Sequence, residues 1–194
     1  VAQADLRAVG RLDDPSRVAS VASFFVSRVD SKVDPLLEAD GRPEALALRG
    51  KIAIANSKLA YRRYQDLFEG EAFAAAAARG ARPPRVLWAS PRTKNPAHRA
   101  APYVEELIGP QTVNTLPPKT VEAFRDHGRV RPSLTENVDE AAAQLDALAA
   151  LGIDLDRVTS ELQKEGVEKF AKPFDKLLAT LEQKRSALLD GVHA

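Results

Sequence analysis

The stretch Val18–Asp30, VASVASFFVSRVD, decides the fold. It is a nearly continuous apolar run, rich in Val and Phe, that ends abruptly in Arg28 and Asp30. Such a run reads as a strand over Val18–Val26 buried on both faces, the kind found in parallel sheets covered by helices. In parallel α/β folds ligands bind beyond the C-terminal ends of strands, so Ser23, Ser27 and Arg28 approach the place where an anionic group would dock. By alternation Ser23, Phe25 and Ser27 share one face and Phe24, Val26 and Arg28 the other, unless the chain turns near Val26. A second run, Arg85–Lys94 (RVLWASPRTK), repeats the design of apolar strand followed by hydroxyl and cations.

Working outward, Leu6, Ala8, Val9 and Leu12 have helical spacing, and the Asp13-Asp14-Pro15-Ser16 cluster turns the chain into the first strand. Asp34-Pro35 and Gly41-Arg42-Pro43 read as breaks, and Pro43–Phe68 as one helix that Gly50 weakens without ending it. Glu71–Arg79 is alanine-rich and helical, and Val86–Ala89 is the second strand. Tyr103–Ile108 is a short helix, Thr112–Leu116 the third strand, and Pro118 opens a helix that closes at His127-Gly128. Ser133 with Glu136 spells a capping box for a helix running to Leu151-Gly152. From Asp156 onward Val167, Phe170, Phe174, Leu177, Leu181 and Leu188 recur every three or four residues. That spacing describes one face packed on its own core, or a coiled-coil seam, with Pro173 kinking the helix or starting a new one. Strands separated by helices make right-handed parallel crossovers, so the class is α/β, with about three parallel strands and C-terminal helices. Three strands are few for so much helix.

Composition narrows the functional classes. The chain has 194 residues, net charge +1 and 28% charged residues, which points neither to nucleic acid nor to an acidic membrane surface. It has no cysteine, so disulfides, thiol catalysis and Cys-bound metal are excluded. No apolar run approaches the roughly 20 residues of a membrane span, and the expected location is the cytoplasm. The sequence contains no methionine and starts at Val1 in what reads as mid-helix, which suggests truncation.

Arg28, just past a strand, has the planar fork that clamps phosphate, or else forms a surface salt bridge to Asp30 or Asp34. Ser90, Arg92 and Lys94 lie within five residues after the second strand and read either as an anion site or as a solvated loop. Lys94 could form a Schiff base if burial lowered its pKa, although its polar neighbours suit phosphate contact better. Asn114 and Thr115 could line a pocket, and Trp88 reads as core. His98, His127 and His193 lack partners at ligand spacing, so no metal site is expected; His127 suits a helix C-terminus.

SRVASVASFFVSRVD, LRGKIAIANSKLAYRRYQDLF, RVLWASPRTKNP, YVEELIGPQTVNTLPP and AFRDHG together resemble the C-terminal half of bacterial transaldolase over nearly the whole chain. The resemblance implies that residues 1–194 are the C-terminal part of one (β/α)₈ barrel, with a helical tail from about 133 to 194. The strand at Val18 becomes the sixth of eight, the run at Arg85 the seventh and Thr112–Leu116 the eighth. It implies a transferase of the pentose phosphate pathway that moves a dihydroxyacetone unit between sugar phosphates through a lysine Schiff base, with no metal or organic cofactor. Carried over by position, Ser23, Phe25 and Arg28 contact substrate and phosphate, and so do Ser90 and Arg92. Relatives more often read Ser-Thr-Gly before the Thr-Lys pair; here Pro91-Arg92 intervene, which leaves open whether Arg92 or Lys94 grips phosphate. The Schiff-base lysine has no counterpart here and is expected upstream, so the chain alone is expected to be inactive. The implied partners are sugar phosphates and the N-terminal half of the same barrel, with homo-oligomer assembly open. The competing reading is a noncatalytic half-barrel that binds phosphate or docks another chain; a purely structural role rests on the amphipathic tail.

Overall fold

The computed structural model describes residues 14–90 and 102–192. The chain divides into two compact units, Val1–Ile153 and Asp154–Ala194, so the expected tail from 133 straddles the division.

In the first unit, the turn Pro15–Arg17 leads into β1 (Val21–Phe25), which passes directly into α1 (Val26–Asp40). The strand therefore stops one residue short of the expected Val26. The physical reason lies in the spacing Val26, Val29, Val33, Leu37, all of them buried, which is a helical stripe. Helix α1 also runs through Pro35, where a break was expected. Proline costs the bond its amide would donate one turn back, but the surrounding turns are tied elsewhere. Asp34 Oδ1 accepts from Gly50 N–H at 3.0 Å and Ser31 Oγ donates to the Ser27 carbonyl at 2.7 Å.

The single helix expected over Pro43–Phe68 is two: α2 (Pro43–Leu46) and α3 (Ile52–Phe68). Gly50, between them, sits at φ +70°, a left-handed conformation that a continuous helix does not contain. Helix α4 (Glu71–Ala77) follows, then β2 (Arg85–Ala89), α5 (Pro102–Glu106), β3 (Thr112–Asn114), α6 (Pro118–His127) and α7 (Val138–Ala150). His127 is the last residue of α6, at the C-terminus expected for it. The expected capping box does not form. Ser133 belongs to a separate 3₁₀ turn, Ser133–Thr135, where its hydroxyl donates to the Glu105 carbonyl and accepts from Ile108 N–H at 3.2 Å. Glu136 pairs with Arg131 instead, and Asn137, at φ +53°, precedes α7.

The three strands are all parallel and lie in the order β1-β2-β3, so each neighbours the next one in sequence. Register places Phe24 beside Trp88 and Trp88 beside Asn114 on one face, and Ser23 beside Leu87 and Phe25 beside Ala89 on the other. The fold is α/β, consistent with part of a (β/α)₈ barrel. The two faces differ. Phe24 meets Trp88 edge-on at 5.8 Å, and Trp88 is fully buried. The opposite face of β1 is open, with Val21 46% and Phe25 36% exposed and Ser23 exposed. The expectation of a strand buried on both faces thus fails at β1. It is an edge strand, and among the described residues nothing covers its Ser23 side.

Helix α3 is the hub of the first unit and packs against α1, α4 and α7. Its buried residues include Ile52, Ala53, Tyr61 and Tyr64, and Tyr61 Oη donates to the Pro110 carbonyl at 3.0 Å. The second unit is α8 (Leu155–Val192), a single helix with Pro173 inside it. Its stripe of Val167, Phe170, Phe174, Leu177, Leu181 and Leu188 is exposed, which departs from the expected packing on its own core and leaves the coiled-coil alternative untouched. No helix among the described residues is long and apolar enough to cross a membrane.

Candidate functional site

Parallel strands present their C-terminal ends at one edge of the sheet, and of the expected site residues Ser23, Phe25, Arg28 and Ser90 lie toward that edge. Ser23 and Phe25 lie on the open face of β1, where alternation puts them. Arg28 is not on the strand. It belongs to the first turn of α1, and its guanidinium carbon lies 4.4 Å from the Phe25 ring centroid. A cation over an aromatic face is attracted by the ring quadrupole, so Phe25 holds Arg28 beside the open face. The early turn at Val26 thus brings Ser23, Phe25 and Arg28 together, where a longer strand would have sent Arg28 to the other side.

The same turn places a helix start at the site. Helix α1 has Phe25 as its N-cap, with no side-chain cap, and its first N–H groups carry the positive end of the helix dipole. Ser27, in that first turn, is buried, and its hydroxyl has no hydrogen-bond partner among the described residues. Ser90 follows β2 directly, with Ala89 in register with Phe25, and its backbone stands at φ +54°. A guanidinium, two hydroxyls, an aromatic wall and a helix N-terminus together favour a phosphorylated or otherwise anionic group. Arg92 and Lys94 lie outside the described residues, as do His98, His193 and the expected first helix.

Asn114 is half-buried and Thr115 exposed. Thr115 is tied to β2, its N–H and Oγ1 both reaching the Trp88 carbonyl, at 3.1 and 3.3 Å. Asn114 shares the face of Trp88, and Asn114 Oδ1 and Trp88 Nε1 are both buried without partners among the described residues. Among those residues no three His, Cys, Asp or Glu side chains gather around a point that a metal ion could occupy.

Two polar clusters, each built around one buried charge, escaped the sequence reading. Asp30, 3% exposed, accepts from Ala53 N–H at 2.7 Å and from Tyr103 Oη at 2.6 Å. Burial, with Asp30 beside it, pushes the Tyr103 pKa well above the usual phenol range. Lys58, 4% exposed, donates to Glu106 Oε2 at 3.3 Å and to the Glu136 carbonyl at 3.0 Å, while Arg131 bridges Glu106 and Glu136. The available signals were a carboxylate beside the α1 stripe at Val29 and Val33, and a lysine between Ala55 and Tyr61 on the α3 stripe. Their partners lie 23 to 78 residues away, beyond the reach of local pattern.

Residues 1–181 match a family model described as transaldolase/fructose-6-phosphate aldolase. The transaldolase of Thiobacillus denitrificans is 52% identical over 168 residues, which are 87% of this chain and 47% of that protein. The transaldolase of Frankia alni is 50% identical over 171 residues, 88% of this chain and 46% of the relative. That of Acidothermus cellulolyticus is 51% identical over 176 residues, 90% and 47% of the two chains. The chain spans about half the length of the curated relatives it matches.

Proposed function

This chain belongs to the transaldolase/fructose-6-phosphate aldolase family, and from that premise we propose that it supplies the phosphate-binding part of a transaldolase. The reaction is transfer of a dihydroxyacetone unit between sugar phosphates, from sedoheptulose 7-phosphate to glyceraldehyde 3-phosphate, giving erythrose 4-phosphate and fructose 6-phosphate in the cytoplasm. The covalent step uses a lysine Schiff base contributed from outside these residues, and no cofactor.

The observation that carries the reading is the convergence of Ser23, Phe25 and Arg28 at the C-terminal end of a parallel strand, beside Ser90 and the uncapped start of α1. Arg28 supplies paired donors to the phosphate oxygens, and its position over Phe25 limits the rotamers it must give up on binding. The α1 N–H groups add donors and dipole, the Ser23 hydroxyl orients the sugar, Ser90 donates to the phosphate, and Arg92 and Lys94 supply further charge. The open face of β1 supports a second part of the proposal: more strands of the same barrel, from the N-terminal half, lie against Val21, Ser23 and Phe25 and complete the pocket.

Steady-state kinetics of the protein carrying this chain test the reading. Arg28→Ala should raise KM for fructose 6-phosphate about 10- to 100-fold with kcat little changed, the loss expected when a charge-assisted contact to bound substrate is removed. An unchanged KM would refute the assignment. Borohydride trapping with fructose 6-phosphate on the 194-residue chain alone should yield no adduct; an adduct would place the Schiff-base lysine inside it.

A further inference from the structure

We infer that Asp30 and Tyr103 are positioning residues for Arg28. The inference rests on the reading of Arg28 as the phosphate clamp and deepens it.

Arg28 and Asp30 are two residues apart on α1, which at 3.6 residues per turn sets their side chains about 200° apart around the helix axis. Arg28 faces the open end of β1, over Phe25, while Asp30 points the opposite way into the interior. Whatever fixes Asp30 therefore fixes the rotation of the first turn of α1, and with it the direction in which Arg28 leaves the helix.

Asp30 is held from two elements distant in sequence. One carboxylate oxygen accepts from Ala53 N–H, in the first turn of α3, at 2.7 Å; the other accepts from Tyr103 Oη, on α5, at 2.6 Å. Lys51, the N-cap of α3, makes no side-chain cap bond, so Asp30 performs that task from another helix, where a negative charge also meets the positive end of the α3 dipole. Tyr103 is 6% exposed, and its hydroxyl has the charged acceptor that makes a short, directional bond. One turn on, Asp34 Oδ1 receives Gly50 N–H at 3.0 Å, a second tie between α1 and the chain entering α3. The second and third turns of α1 are thus pinned on their inner side, while Phe25 steadies Arg28 on the outer side of the first. Chemically Tyr103 touches no ligand; it acts through Asp30 and the helix.

A merely structural role would weaken the protein without regard to Arg28, so the test is a double-mutant cycle on the full protein carrying this chain. KM and kcat for fructose 6-phosphate are measured in the parent, Tyr103→Phe, Arg28→Ala and the double variant, with melting followed for each. Tyr103→Phe should raise KM about 3- to 10-fold, the loss of one hydrogen bond's worth of orientation, with kcat nearly unchanged. In the Arg28→Ala background the same change should do nothing further to KM. Equal factors in both backgrounds, or no effect in the parent, would overturn the positioning role while leaving the clamp standing. If Arg28→Ala alone leaves KM unchanged, the clamp itself is wrong, and the positioning role falls with it. Asp30→Asn, which keeps an acceptor for Ala53 N–H but offers Tyr103 a weaker partner, is the second arm of the cycle if Tyr103→Phe does not fold.

Discussion

Replacing Lys58 by methionine removes the one buried charge from a balanced, otherwise partly exposed group and is expected to cost about 2 kcal/mol of stability, a figure set by what its neighbours can still reach. Two cations, Lys58 and Arg131, serve two carboxylates, Glu106 and Glu136. The Lys58 side chain is 5% exposed, and its ammonium also donates to the Glu136 carbonyl. Methionine fills nearly the same volume, so no large cavity opens and the loss is polar. Breaking a fully buried ion pair costs roughly 3–5 kcal/mol. Here Glu106 keeps Arg131 and is 31% exposed, so solvent screens part of its charge, while the Glu136 carbonyl loses a donor. Urea unfolding followed by far-UV circular dichroism should move its midpoint down by about 1 M with an unchanged slope. Glu106→Gln alone should cost about 1 kcal/mol, and the double variant less than the sum of the two, because the charges leave together. A Lys58→Met protein as stable as the parent, or strict additivity in the double variant, would refute the reasoning.

Three further perturbations test other parts of the fold. Tyr103, held protonated by burial and Asp30, has a folded pKa above its unfolded value near 10. Its contribution is therefore complete below pH 10 and is lost as pH rises beyond it, by about 1.4 kcal/mol per pH unit. Tyr103→Phe should flatten that part of the alkaline loss in a pH-stability series, while Tyr61 and Tyr64, also raised chiefly by burial, maintain the remainder. Gly109→Ala would set a methyl 2.8 Å from Leu134 Cδ2 and 2.9 Å from its Cβ, in a side chain with no exposure, and should cost about 1–3 kcal/mol by denaturant titration. Gly41, at φ +73°, closes α1 through its N–H to the Leu37 carbonyl; Gly41→Ala should cost about 1–2 kcal/mol and lower the melting temperature.

The parts of this fold that were legible in sequence are those whose signals are local. Val86–Ala89 was recognisable as a strand, Thr112–Leu116 only in part because the third strand ends at Asn114, and α6 by Pro118 at its start and Gly128 at its end. Errors occurred where a local rule met a tertiary tie. Pro35 reads as a stop, yet the helix continues because the carboxylate beside it is engaged by Gly50. Gly50 reads as tolerable within a helix, yet its left-handed conformation lets the chain deliver that N–H to Asp34. Ser133 and Glu136 have capping-box spacing, but each finds a stronger partner, a backbone carbonyl and a guanidinium. At the site Ser23, Phe25 and Arg28 could be read from an apolar run ending in a cation. Asp30–Tyr103 and the Lys58 group could not, since no pattern within one helix says which distant donor will arrive.

Strand β1 shows why binding and assembly draw on the same residues in the proposed reading. On one face Phe24 is half-buried against Trp88, whereas on the other Val21, Ser23 and Phe25 stand open. The chemistry along that face is graded. Val21, at the N-terminal end, has only apolar surface to offer and needs packed neighbours, as inward side chains in a barrel do. Ser23, at mid-strand, and Phe25, at the C-terminal end, carry a hydroxyl and a ring already occupied by Arg28. A cover that packs Val21 and stops short of Phe25 leaves the polar end of the face as a lined pocket. An exposed apolar edge is a liability in a free chain. With the 194-residue chain and the N-terminal half supplied as separate chains, Val21→Ser should therefore weaken their association without touching phosphate affinity, whereas Arg28→Ala should do the reverse. That separation, read from assembly by light scattering and from KM for fructose 6-phosphate, is the one the gradient requires, and parallel losses in both variants would contradict it.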